Sequence, residues 1–241
     1  KKRGIINMSV SYIFEPNPIT SCKIIDSIEH FPVRRILCVG ANYVAHALEM
    51  GRDPSREPPF FFAKPTDAII NADRGLNTII PYPPETNNFH YEMEMVVTIG
   101  KRAENIEPNE TVDVIWGYGA GIDLTRRDLQ KAAKDKGRPW ELGKGFDKSA
   151  IISSLSPVTK IGHPQDARIW LAVNDVIKQD SNIDKLIWSV PEMISILSKT
   201  MTLLPGDIIY TGTPEGVGPI SKGDKVTGGV EGVGEVSITI S

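Results

Sequence analysis

The run His90-Tyr91-Glu92-Met93-Glu94-Met95-Val96-Val97 restricts the fold more than any other stretch of the chain. It alternates as a strand does: Tyr91, Met93, Met95 and Val97 share one face, and Glu92, Glu94 and Val96 share the other. The apolar face needs a core to cover it. The second face sets two carboxylates roughly 7 Å apart at Cα, between apolar flanks. Like charges in a half-buried setting resist ionising together unless a proton or a cation joins them. Oxygen ligands without cysteine select magnesium, manganese or calcium. The competing reading is a solvated edge strand with two surface glutamates.

Glycine (21) and proline (18) punctuate the rest of the chain. That frequency predicts many short strands and turns and excludes a helical bundle. The apolar alternation Val10, Tyr12, Phe14 reads as a short strand ended by Glu15-Pro16-Asn17-Pro18. Residues 1–34 are therefore expected as a small N-terminal strand and connector, and 35–241 as the main, catalytic domain. Strands are expected at 35–40 and around 69, 79 and 120, and a hairpin arm at 168–173 turning at Asn174-Asp175. Helical spacing runs from Val44 to Met50, Leu124 to Asp135, and Val190 to Leu197.

The 27 basic and 30 acidic residues nearly balance, which gives no basic face for nucleic acid. No apolar run approaches the roughly 20 residues a membrane helix needs. Cys22 and Cys38 are too few for a disulfide framework, so a reducing, cytoplasmic setting is the default. Lys1-Lys2-Arg3 precedes an apolar stretch too short for a signal peptide, and Met8 is a candidate start.

Several residues outside the Glu92/Glu94 strand can carry chemistry. His46 and Glu49 stand three apart on an expected helix, where their side chains are neighbours. A carboxylate beside an imidazole fixes its tautomer and makes a general base, although such pairs are also common on surfaces. Asp123 closes an apolar run; it reads as a helix cap or as a third oxygen ligand. Lys144, in a glycine-flanked loop, either stabilises anionic charge or faces water. Arg126, Arg127 and Gln130 follow Asp123 within two helical turns, and arginines clamp carboxylates bidentately. Thr211-Gly212-Thr213-Pro214-Glu215-Gly216 lacks the lysine of a phosphate loop, but its N–H groups and the Thr213 hydroxyl can hold a carboxylate.

The order of these signals resembles the fumarylacetoacetate hydrolase family. The resemblance rests on Val39-Gly40-x-Asn42-Tyr43-x-x-His46-x-x-Glu49, Phe62-x-Lys64-Pro65 and His90-x-Glu92-x-Glu94. It continues through Gly121-Ile122-Asp123-Leu124-Thr125-x-Arg127-Asp128, Gly137-x-Pro139-Trp140-x-x-x-Lys144-x-Phe146 and Thr211-Gly212-Thr213-Pro214-x-Gly216-Val217-Gly218. The branch it is most similar to is that of the acylpyruvate and fumarylpyruvate hydrolases of aromatic-acid breakdown. The resemblance implies an α+β, mostly β fold, a mixed β-sandwich roll with a few short helices, assembled as a homodimer. It implies Mg²⁺ or Mn²⁺ on Glu92, Glu94 and Asp123, a water-activating dyad of His46 and Glu49, and a charge-stabilising Lys144. Arg127, Gln130 and Thr213 are then expected to bind substrate, a small 2,4-dioxo acid cleaved at a carbon–carbon bond. A fumaryl substrate would bring a distal carboxylate to Arg126 or Arg127. The helix carrying His46 and the segment after it are expected to form a lid. Ala41 stands where related sequences often carry arginine. Decarboxylation of oxaloacetate or isomerisation of a 2-oxo-ene-dioate would use the same ligands, and a non-catalytic acid-binding module would need no base.

Overall fold

The β-prone runs pair as short strands because turns interrupt each of them. The computed structural model describes residues 10–51, 57–76 and 78–241. The signal-peptide reading, the candidate start at Met8 and residues 52–56 of the segment after the His46 helix fall outside them.

In chain order the strands begin with β1 (Ser21–Lys23), β2 (His30–Pro32), β3 (Arg35–Gly40), β4 (Phe60–Lys64), β5 (Ile69–Asn71), β6 (Thr78–Ile80), β7 (Phe89–Tyr91), β8 (Met93–Ile99) and β9 (Ile115–Asp123). They continue with β10 (Thr125–Arg126), β11 (Ala150–Ile152), β12 (Ser156–Pro157), β13 (Arg168–Val173), β14 (Val176–Asn182), β15 (Asp207–Tyr210), β16 (Gly218–Pro219), β17 (Lys225–Val230) and β18 (Gly234–Ile240). The helices are α1 (Val44–Glu49), α2 (Arg127–Asp135), α3 (Glu141–Lys144), α4 (Val158–Ile161) and α5 (Val190–Thr200).

The large sheet runs β4-β3-β15-β8-β9-β11-β5, with β12 also on β9. A second sheet runs β14-β13-β17-β18-β6. Both are mixed: β3/β15, β11/β5 and β18/β6 are parallel, and the other pairs are antiparallel. The fold is thus mostly β, a curled sandwich roll with few helices. No helix among the described residues is long and apolar enough to cross a membrane.

β8 is central, between β15 and β9, and every residue of it is buried. That placement excludes the solvated edge strand. Met93, Met95 and Val97 face the second sheet and share its core with Ile122, Leu171, Val226 and Ile238. Val96 faces the other way, into a smaller core with Cys38, Ile152, Ile208 and Tyr210. The β1–β2 hairpin covers that side, burying Cys22 and Phe31. Burial of this kind is worth about 1.5–3 kcal/mol for each large apolar side chain.

Three expectations change. Val10 to Phe14 form no strand, and Val10, Ile13 and Phe14 lie exposed. Nothing pairs with them, and the first strand starts only beyond the prolines at Ser21. α2 begins at Arg127 and not at Leu124, because Thr125 and Arg126 first pair with His90 and Phe89. The loop from Arg138 to Asp147 contains a helical turn, α3. The hairpin turn stands as expected: Asn174 and Asp175 take φ of 50° and 62°, as a primed two-residue turn requires.

Candidate active site

Glu92 lies between β7 and β8, and Glu94 lies on β8. Asp123 ends the neighbouring β9. Antiparallel pairing puts Glu94 opposite Gly121 and Met93 opposite Ile122. The register therefore brings Asp123 beside Glu92, whose carbonyl accepts its N–H at 2.8 Å. One carboxylate oxygen from each of Glu92, Glu94 and Asp123 lies within 4.8 Å of the other two. All three residues are buried, Asp123 completely.

Three cations meet this cluster. Lys144, from α3, puts its Nζ 2.7 Å from Glu92 Oε2, Asp123 Oδ2 and Thr125 Oγ1. It is therefore not the solvated lysine of the alternative reading. Lys64, from β4, has its Nζ 2.8 Å from Asp123 Oδ1, off the hydrogen-bonding direction, and donates to the carbonyls of Leu124 and Lys144. Arg127 donates to Glu92 Oε1 at 2.5 Å and to Gln130 Oε1 at 2.6 Å.

The charges shape each ionisation. Burial alone would push Glu92 up, but Lys144 and Arg127 hold it well below the usual carboxylate range. Burial would push Lys144 down, but Asp123 and Glu92 keep it above its ordinary value. Glu94 is pushed well up, first by burial and then by Asp123 and Glu92. It receives the Gly212 N–H at 2.7 Å and, among the described residues, no cationic partner. A buried carboxylate left short of positive charge calls for a cation or a proton. With an all-oxygen donor set, the three acids fit a magnesium- or manganese-sized ion.

Above the carboxylates opens a cavity of about 460 Å³, a size suited to a small molecule. Glu92, Glu94 and Lys144 reach its floor, and His46, Glu49, Gln130 and Thr213 line it. His46 and Glu49 form the pair expected on α1, with Nδ1 3.2 Å from Oε2. Burial lowers the His46 pKa, against partial support from Glu92 and Glu49. His90, the other cavity histidine, is lowered to about 4 by burial and by Arg127. Ala41 lines the rim with a methyl group at φ 55°.

The glycine-rich stretch after β15 does what its sequence suggested, but for carboxylates of the chain itself. The Gly212 N–H holds Glu94, and the Gly216 N–H holds Glu49 at 3.2 Å. Both glycines need their freedom. Their φ angles are 99° and 88°, and a Cβ would stand 2.7 Å from Asn42 Cβ and 2.1 Å from the Lys178 carbonyl oxygen. Thr213 Oγ1 accepts from Gln179 at 2.8 Å, which leaves its own O–H to donate.

Lys64, Asn42 and Gln179 were not singled out as site residues from the sequence. Asn42 donates to the carbonyls of Thr211 (2.8 Å) and Trp188 (3.0 Å) and accepts the Trp188 N–H (2.8 Å), wholly buried. It ties the start of α1 to the glycine-rich stretch. Asn42→Ala removes three hydrogen bonds from interior backbone groups, and we expect a loss of about 3 kcal/mol in stability by denaturant titration. A loss below about 1 kcal/mol would show that the tie is dispensable. Arg126 sits over the Phe146 ring at 4.4 Å and does not line the cavity.

Comparison with known proteins agrees with this geometry. A fumarylpyruvate hydrolase of Ralstonia sp. is 47% identical over 193 residues, covering 79% of this chain and 98% of its own. A mitochondrial oxaloacetate tautomerase of Oryza sativa subsp. japonica is 39% identical over 207 residues, covering 86% and 90%. The crystal structure of fumarylpyruvate hydrolase from Pseudomonas aeruginosa, in complex with Mn²⁺ and pyruvate, superposes with a TM-score of 0.94. It is 48% identical and covers 95% of this chain and 99% of its own. The model of the fumarylacetoacetate hydrolase C-terminal region matches residues 35–241. The chain belongs to the fumarylacetoacetate hydrolase family.

Proposed function

We propose that this protein hydrolyses fumarylpyruvate, a 2,4-dioxo acid, to pyruvate and fumarate. The observation that carries the reading is the meeting of two devices at one cavity: a cluster of three buried carboxylates, of which Glu92 and Glu94 reach its floor, and a His–Glu pair on its wall. Glu92, Glu94 and Asp123 would hold a divalent cation, which would supply Lewis-acid charge to the reaction.

The chain's own residues do the rest. Glu49 receives the Nδ1 proton of His46, and this leaves the Nε2 lone pair free. Nε2 takes a proton from water, whose oxygen bonds to C4 of the substrate. The C3–C4 bond then breaks, and its electron pair leaves on C3 as the pyruvate enolate. The proton held by His46 returns to C3, so one water is consumed for each pair of acids formed. Lys144, at the floor, and Lys64, beneath it, offset the negative charge of the carboxylates and of the departing enolate. The Thr213 hydroxyl donates to the substrate from the facing wall.

The test is a product assay. With Mg²⁺ or Mn²⁺ the protein should release fumarate and pyruvate in equal amounts, and EDTA should stop it. Turnover that survives EDTA, or products other than these two acids, would overturn the proposal. Tautomerisation of oxaloacetate, the activity named for the plant relative, also requires enolate chemistry. With oxaloacetate as substrate it would appear as loss of the enol absorbance without a second acid.

A further inference from the structure

α2 presents Arg127, Gln130, Lys131 and Lys134 to the cavity, at the spacing of a single helix face. Their side chains are not equally available. Arg127 is turned inward on Glu92, Gln130 and His90. Gln130 receives Arg127. Lys131 is paired with Asp135, with Nζ 2.5 Å from the carboxylate. Lys134 comes last in the row, near the mouth. Its ammonium has no hydrogen bond or ion pair among the described residues. Lys131 and Asp135 cancel each other, so Lys134 is the uncompensated cation of this wall among the described residues.

The facing wall is aromatic. Phe60 and Phe62 pack on Trp140 with ring centroids 5.3 and 5.7 Å apart, and all three line the cavity. Such a wall suits a flat, unsaturated chain. Along α2, Arg127 and Lys134 are about 10 Å apart, and helical side chains lean back toward the N-terminus. The Lys134 ammonium can therefore reach back toward the level of Gln130 and Lys131. An extended seven-carbon acid spans about 7–8 Å across six carbon–carbon bonds. Anchored at the floor by its 2-oxo acid end, it carries a terminal carboxylate into the range of Lys134. A five-carbon chain ends short.

We propose that Lys134 is the specificity-determining residue for a distal carboxylate, so that the cavity selects seven-carbon 2-oxo diacids over monoacids. This rests on the proposed function for the orientation of the substrate. It replaces Arg126 and Arg127 as the expected partners of the fumaryl carboxylate, since one lies outside the cavity and the other is engaged with Glu92.

Binding of 2-oxoheptanedioate and of 2-oxoheptanoate to the magnesium-loaded protein, measured by calorimetry, tests it without turnover. The wild type should prefer the diacid, and Lys134→Met should cut that preference about fivefold, as expected for an exposed ion pair. Lys134→Glu should cut it further, and Lys131→Met less than either. An unchanged preference in Lys134→Met would overturn the inference, as would a larger effect of Lys131→Met. The hydrolysis assay is scored separately: diacid preference that depends on Lys134 without cleavage of fumarylpyruvate would refute the proposed function and leave this assignment standing.

Discussion

Glu94→Gln is expected to cost about 10³-fold in metal-dependent turnover, some 4 kcal/mol of transition-state stabilisation, and yet to leave the metal-free protein at least as stable as the wild type. The glutamine oxygen still accepts the Gly212 N–H, so the backbone tie survives. What disappears is a charge the fold does not neutralise by itself. Burial, then Asp123 and Glu92, push this carboxyl well above its ordinary value of 4.5. A carboxyl raised in this way takes up a proton on folding. Its contribution is fully present below the ordinary value and is lost as pH rises through the raised one. At neutral pH without metal it is therefore a liability, and Glu94→Gln removes it. The two proteins should diverge when metal is added. The wild type gains about 2.7 kcal/mol at a hundredfold excess over Kd, and the variant gains less. Melting curves with and without Mg²⁺, beside kcat, check both halves. Turnover within tenfold of wild type would remove Glu94 from the ligand set.

His46→Ala is expected to lower kcat by about 10³-fold while changing KM little, the usual range for a lost general base. Its pH signature is more specific. Burial lowers the His46 pKa from 6.5, and Glu92 and Glu49 offset only part of that. The base is active when neutral, so kcat/KM should be flat through neutrality and fall only on the acid side, below 6.5. Glu49→Gln takes away a group that holds the histidine up. The acid limb should then move to lower pH, with a further loss of about tenfold from poorer orientation. A limb that stays in place in Glu49→Gln would mean that another group titrates there.

The catalytic half of this molecule was legible because its chemistry conflicts with its pattern. Two glutamates in an apolar, strand-like run have few explanations, and β8 turned out to be a central strand with both acids buried. That His46 and Glu49 meet was legible from helical spacing, while their expected role came from the family resemblance. Read locally, Lys144 was a residue in a suspicious loop, and the family resemblance gave it its expected role, since nothing local shows that α3 tucks its amine under two carboxylates. Lys64, Asn42 and Gln179 were not singled out as site residues because their partners lie 34 to 169 residues away in sequence, beyond the reach of any periodicity. The Val10–Phe14 misreading has the same origin: alternation supplies a face but not a neighbour to bury it, and here none does. α2 began late because pairing with β7 outweighed helical propensity at Thr125 and Arg126.

Two peptide N–H groups four residues apart, those of Gly212 and Gly216, hold the carboxylates of Glu94 and Glu49, both of which line the cavity. An engineer who lengthened or shortened Gly212–Gly216 by a residue would shift one of these carboxylates against the other. Attempts to redirect this scaffold to new acids belong on the cavity face of α2 around Lys134 and on the Phe60–Trp140 wall, where variation leaves that spacing untouched.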